Sequence, residues 1–301
     1  MKSNKYVRLF SFLTFVIIGS LLLVGCAPTI EELINKRDES GLIKALKNKD
    51  EEVRASAATA LGDFENSHKT VTPLIKALED KSENVRLKAE AALVKTEAYA
   101  ITQLLTIMKS GTSVSPVAKR ILEKIVVNLV DELINGYYYT TSSKYAKESL
   151  LRIGDLAVDP LIKVIGEDKV GAINVVEVLG DIGDARAIVP LIIVLNDSDT
   201  LMVEIAAGAL KKMSDQSFQP LLNALEKKGG AAYALIRIGR SGTEPVLIEA
   251  LNEYGDKEMA EYYLNSGNAL LKKAAIQWAY QNHYVLKFNV TSTGDGPYWG
   301  N

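Results

Sequence analysis

The 301 residues are 48% hydrophobic and 24% charged, the composition of a folded protein, and long enough for one extended or two compact domains. The formal net charge is −2, and the first 25 residues hold Lys2, Lys5 and Arg8 but no acid, so the chain without them carries −5. That balance argues against a nucleic-acid groove, which needs clustered Lys and Arg to displace counterions.

The first patterned stretch is 1–25. Basic Lys2, Lys5 and Arg8 precede an apolar run, Leu9 to Val24, followed by small residues, which is the layout of a secretory signal. At its end stand Leu23, Val24, Gly25 and Cys26. These four resemble a bacterial lipobox, in which the cysteine takes a diacylglyceryl thioether and becomes the mature N-terminus. The resemblance implies Cys26 as the lipidation site and Leu23, Val24 and Gly25 as the cleavage motif. The alternative is an uncleaved membrane helix, since the stretch from Leu9 to Gly25 just reaches the lower limit of length for spanning. Both readings put the rest of the chain on the extracytoplasmic side, because the basic end stays inside. Cys26 is the only cysteine, so no disulfide, cysteine metal site or thiol nucleophile is expected. The covalent lipid on Cys26 is the only non-protein group expected.

Thr29 and Glu32 form a capping-box pattern that opens a helix directly after Ala27 and Pro28. Two or three extended residues span only about 10 Å. The folded part is therefore expected to start at the bilayer surface, and its partner to be membrane-associated or large enough to approach the membrane.

From Asp38 onward the chain repeats. LIKAL at 42–46 returns at 74–78, and the same shift superposes Val53-Arg54 on Val85-Arg86, Ala60-Leu61 on Ala92-Leu93 and Asp50 on Ser82. Asp and Ser accept from the free amides of a first helical turn, so each unit reads as two short helices, the second starting at Glu51 or Glu83. Gly62, Gly154, Gly180 and Gly239 are expected to end second helices in a left-handed turn. Pro73, Pro160, Pro190, Pro220 and Pro245 each precede an apolar cassette, LIKAL, LIKVI, LIIVL, LLNAL and VLIEAL, and are read as first helical positions. Two weaker units fill the middle, one around LLTIM at 104–108 and one from Leu129 through a tyrosine-rich turn to Gly154.

A pair of short helices cannot bury its own apolar face, and stacked neighbours complete the core. The expected fold is all-α, a right-handed α-solenoid of about eight helical pairs between Asp38 and Tyr284. Single-face stripes such as Val53, Ala57, Leu61 and Ile173, Val176, Leu179 support it. The domain plan is a signal peptide at 1–25, the solenoid at 26–284 and a non-helical tail at 285–301. In the tail, VLKFNV alternates like a short strand, and the turn-rich remainder either folds back through Tyr298 and Trp299 or stays loose.

These units resemble HEAT repeats, most closely the short HEAT-like repeats named for phycobilisome lyases. The shared pattern is an LIKAL-type helix, an Asp or Ser, a Val-Arg pair, then an Ala-rich helix ending in Leu-Gly. It reads here as Asp50 to Asp63, as Val175 to Asp184 without the Val-Arg pair, and as Ser143 to Asp155 with Lys144 in its place. The resemblance implies that Arg54 and Arg86 join a polar ladder between repeats.

Few residues suggest chemistry. His68 and His283 are the only histidines and lie far apart in the chain. The acids Asp50, Asp63, Asp155, Asp181, Asp184 and Asp199 fall at helix ends, where capping and dipole compensation explain them. Tyr137, Tyr138 and Tyr139 follow Gly136 in a turn, and such rigid rings form a candidate partner-binding edge. The plainer reading is that they cover the end of an irregular repeat. Tyr254, Tyr262, Tyr263, Trp278, Tyr280 and Tyr284 form a second aromatic region, expected to close the core of the last repeat.

The reading is a lipid-anchored scaffold of the bacterial cell envelope, extracytoplasmic, without catalysis, binding a protein partner and no nucleic acid. One alternative is an obligate structural or assembly subunit of an envelope complex. The other is a bilin lyase-like enzyme, which the resemblance includes by name but whose pigment-protein substrates are cytoplasmic, whereas this chain is exported.

Overall fold

The structure is a computed structural model that describes residues 28–64, 67–135, 141–165, 171–226, 229–288 and 297–299. The chain divides into two units, one up to Ala100 and one from Ile101 onward.

The first unit opens with α1 (Ile30–Asn35). Its N-cap Thr29 accepts from the Glu32 amide while Glu32 accepts from the Thr29 amide, so the capping box read from the sequence forms. Two pairs follow, α2 (Glu39–Ala45) with α3 (Glu51–Gly62) and α4 (Val71–Ala77) with α5 (Glu83–Lys95). Each pair packs internally, and α3 lies along α5, second helix on second helix. Asp50 caps α3 through its side chain, but Ser82 at the matching place before α5 makes no side-chain cap bond. The first cassette letters, Leu42 and Leu74, are fully buried and the third, Lys44 and Lys76, are exposed, as one helical face inward requires.

Gly62 does not end α3 with a left-handed turn. It is the last helical residue, buried, and a Cβ there would stand 2.8 Å from both Cα and Cβ of Ala92 on α5. Its missing side chain is what lets the two second helices approach.

α6 (Glu97–Ser110) carries the chain into the second unit, and LLTIM lies on it. Next comes α7 (Ser115–Asn135), 21 residues long. Leu129, from which a weaker unit was expected to run, is buried within it, because Ala118, Leu122, Ile125, Leu129 and Leu133 form one unbroken stripe at three- and four-residue steps. α8 (Thr141–Ile153) packs on α7 and leads through a 3₁₀ turn at Gly154–Ala157 to α9 (Val158–Ile165) and α10 (Ala172–Ile182).

After a second 3₁₀ turn at Ala185–Ala187 come α11 (Ile188–Val194), α12 (Thr200–Lys212), α13 (Ser214–Asn223), α14 (Gly229–Ile238), α15 (Glu244–Tyr254) and α16 (Lys257–Leu264). First helices α9, α11 and α13 stack in order, and so do second helices α10, α12, α14 and α16. This is solenoid stacking within the unit. α17 (Ala269–Gln281) closes against α15 and α16.

The prolines keep their spacing but not their expected positions. Pro73, Pro160 and Pro190 are third in α4, α9 and α11, and Pro245 is second in α15. The first turn's amides lack intrahelical partners, so proline costs no bond anywhere within it. Pro220 lies deeper, seventh in α13, and has no amide to give the Gln216 carbonyl. Gly154 and Gly239 are left-handed as expected, with φ of 71° and 68°. In α10 that role belongs to Gly183 (φ 73°) rather than Gly180, which is helical.

Beyond α17, His283 takes a left-handed φ of 62°, the Tyr284 amide donates to the Ala279 carbonyl, and the Tyr284 ring stacks on Trp278 at 5.5 Å. β1 (Leu286–Phe288) and β2 (Pro297–Trp299) then pair antiparallel, with Leu286 opposite Trp299. They are the only strands among the described residues, and both fall in the tail segment.

Candidate functional site

Three arrangements are candidates: a buried arginine clamp, the face of the second helices, and the outer face of the first helices.

In the first unit the Arg54 guanidinium donates through Nη1 to the carbonyls of Asn48 and Lys49, and through Nε and Nη2 to both carboxylate oxygens of Asp80, at 2.8 and 2.9 Å. The next repeat copies half of this device, since Arg86 donates to the carbonyls of Asp80 and Lys81. The hydrogen bonds from Arg54 hold the Asp80 carboxyl below the usual range. Arg54 thus crosses from its own repeat to the next, as a ladder requires, whereas Arg86 ties down the loop of its own repeat. Arg54 is buried with four of its five N–H groups engaged, which leaves little for an incoming anion.

The second helices of the second unit are knitted by charge. Lys147 on α8 reaches Glu177 (3.2 Å) and Asp181 (3.1 Å) on α10, Lys212 on α12 also pairs with Asp181, and Arg237 on α14 meets Glu204 on α12 at 3.1 Å. Partial burial works against the charge on Asp181, but hydrogen bonds from Lys212 and Lys147 outweigh it and keep this carboxyl low. Asp63 plays the same part in the first unit, pairing with Lys95. Asp50, Asp184 and Asp199 cap helices as read from the sequence, whereas Asp63 and Asp181 bridge successive second helices. Partly exposed pairs of this kind contribute about 0–1 kcal/mol each, so they set the stacking register more than they stabilise it.

At the end of that face Tyr233 and Tyr262 lie ring to ring at 4.6 Å, and Arg237 donates to the Tyr233 hydroxyl at 2.9 Å. The other tyrosines of the aromatic region divide. Tyr263 is fully buried with its hydroxyl on the Leu247 carbonyl (2.7 Å) and Trp278 is buried, while Tyr280 and Tyr254 are exposed. Closing of the last repeat's core is the role of Tyr263 and Trp278.

The outer face of the first helices is mostly polar, although Val246 on α15 is exposed, and one helix departs from this along its whole length. α11 reads IVPLIIV and has no polar residue. Ile188, Leu191 and Val194 point inward, leaving Val189 and Ile193, one turn apart, 62% and 65% exposed. The same two positions carry Thr72 and Lys76 in α4, Asp159 and Lys163 in α9, and Gln219 and Asn223 in α13. Beside them an open groove of about 450 Å³ runs between α11 and α13, floored by Ile192, Pro220 and Ala224, with Asn196 and Asn223 as polar edges. Fully covering an aliphatic side chain of this size is worth about 1.5–3 kcal/mol, more than any exposed ion pair on the second helices. The sequence signal for this patch was the third letter of LIIVL, isoleucine where LIKAL and LIKVI have lysine.

Cys26, its motif Leu23, Val24 and Gly25, and Tyr137, Tyr138 and Tyr139 lie outside the described residues. His68 is exposed in the first unit and His283 is exposed in the second. Among the described residues no helix is long and apolar enough to cross a membrane, and no group of three His, Cys, Asp or Glu side chains is placed to hold a metal.

Residues 39–123 match the family of HEAT repeats, and residues 172–197 match the PBS lyase HEAT-like repeat. These stretches are similar to HEAT repeats. No curated protein matches the sequence. Among solved structures, an engineered protein is 19% identical, covering 86% of this chain and 91% of its own, with a TM-score of 0.36. The complex of CpcE and CpcF of phycocyanin lyase from Nostoc sp. PCC7120 is 20% identical over 81% and 94%, TM-score 0.25. A designed armadillo repeat protein is 18% identical over 80% and 97%, TM-score 0.29.

Proposed function

We propose that this HEAT-repeat protein is a membrane-anchored, extracytoplasmic scaffold that binds a membrane-associated protein partner and performs no catalysis. The observation that carries partner binding is the pair Val189 and Ile193, held exposed beside an apolar groove where α4, α9 and α13 carry polar residues. A helix apolar on every side is a buried helix, so α11 is complete only when something covers it. The anchor is supported by the order of basic, apolar and small residues before Cys26 and by the helix that opens soon after it, at Ile30.

Two experiments test the reading. With Cys26→Ser, the protein should lose its lipid and its requirement for detergent; if it is still processed and still extracts only with detergent, the anchor is elsewhere. In cells, site-specific crosslinking from the α11 groove should trap one membrane-associated partner, and the double variant Val189→Asp, Ile193→Lys should abolish the adduct. An adduct that survives the double variant removes this groove as the binding surface. Replacing Tyr137, Tyr138 and Tyr139 together by Ser tests the second candidate edge: weaker capture with unchanged melting supports it, and a steep fall in melting temperature makes the three rings core.

A further inference from the structure

Three lysines of the first unit stand together on the side of its first helices. Lys44 and Lys76, the third letters of its two cassettes, are exposed on α2 and α4, and Lys47 shares with Lys76 the walls of an open groove of about 310 Å³ between those helices. Among the described residues none of these three ammonium groups is in an ion pair. Asp80 borders the same groove, but Arg54 occupies both of its carboxylate oxygens, and Glu79 is engaged in a contact of its own. The opposite side, formed by the second helices, turns Glu51, Glu52 and Glu83 to solvent, with Lys88 among them. Along the later cassettes the third letter runs Lys163, Ile193, Asn223 and Glu249, so the basic character belongs to the repeats nearer the N-terminus.

Resting on the proposed anchor at Cys26, we propose that the lysine side of the first unit lies against anionic lipid headgroups. Ile30 begins α1 four positions after Cys26, a reach of roughly 14 Å at full extension. That is comparable to the Debye length of about 8–10 Å over which a charged membrane attracts a basic residue. Each lysine within that layer is favoured about fivefold, and three on one side, facing away from the acidic side, are enough to orient an already tethered unit.

The test uses the full chain as the cell makes it, incorporated into vesicles of phosphatidylcholine alone or with phosphatidylglycerol added. Lysine acetylation rates are read by mass spectrometry. On the anionic vesicles Lys44, Lys47 and Lys76 should be acetylated about fivefold more slowly relative to Lys88, and the difference should vanish at about 1 M salt. Equal relative rates on both vesicles overturn the proposal. Flotation separates this from the anchor itself. Flotation with neutral vesicles and no protection of the three lysines leaves the anchor standing and removes the headgroup contact; flotation with anionic vesicles alone does the reverse; flotation with neither removes both.

Discussion

A Cβ built on Gly180 of α10 would lie 2.5 Å from the Cβ of Ala209 on α12, whereas one built on Gly208, a residue earlier on α12, would meet nothing within 4 Å. The two helical glycines should therefore respond to alanine with opposite signs. Gly180→Ala forces the second helices apart and should destabilise the second unit by about 1–3 kcal/mol. Gly208→Ala only removes backbone freedom from the unfolded chain and should stabilise by up to about 1 kcal/mol. Urea unfolding of both variants decides, and the same sign for the two would refute the packing account.

The Arg54–Asp80 contact predicts a pH dependence. The folded Asp80 pKa lies below the ordinary carboxylate value of 3.8, so its contribution is complete above that value and is lost as pH falls through the lower folded one. Asp80→Asn should lower stability by the same amount at about pH 7 and about pH 5, and by less at about pH 3. A gap between wild type and variant that stays constant down to about pH 3 would show that Asp80 acts through shape alone.

Tyr263 is fully buried, and its hydroxyl ends on the Leu247 carbonyl inside the core. Tyr263→Phe removes that donor and keeps the ring, and should cost about 0.5–1.5 kcal/mol in thermal or denaturant unfolding. Tyr280→Phe, on a largely exposed ring, should change stability by less than about 0.5 kcal/mol.

Val189 and Ile193 are surface residues in the isolated chain, so Val189→Asp with Ile193→Lys should leave its stability almost unchanged, within about 0.5 kcal/mol. A large loss of stability without any partner present would mean that the groove closes over them in solution, and would remove the patch as a docking surface.

Much of this protein was decided by sequence spacing. The returning LIKAL cassettes and the evenly placed prolines gave the helical pairs, and Thr29 and Glu32 gave the opening cap, because each is a local pattern read along one helix or repeated from one unit to the next; the ladder role of Arg54 came from the resemblance to HEAT-like repeats. Contacts between side chains of successive repeats were not legible. Tyr233 meets Tyr262, Asp181 is shared by Lys147 and Lys212, and Gly62 and Gly180 pack on alanines instead of forming left-handed turns, all through the offset of neighbouring second helices. That offset is a property of stacking, and composition does not specify it. The same limit applies to α11. Its letters announce an apolar helix, but whether both faces are buried depends on what lies beside it, and only the tertiary structure leaves Val189 and Ile193 uncovered.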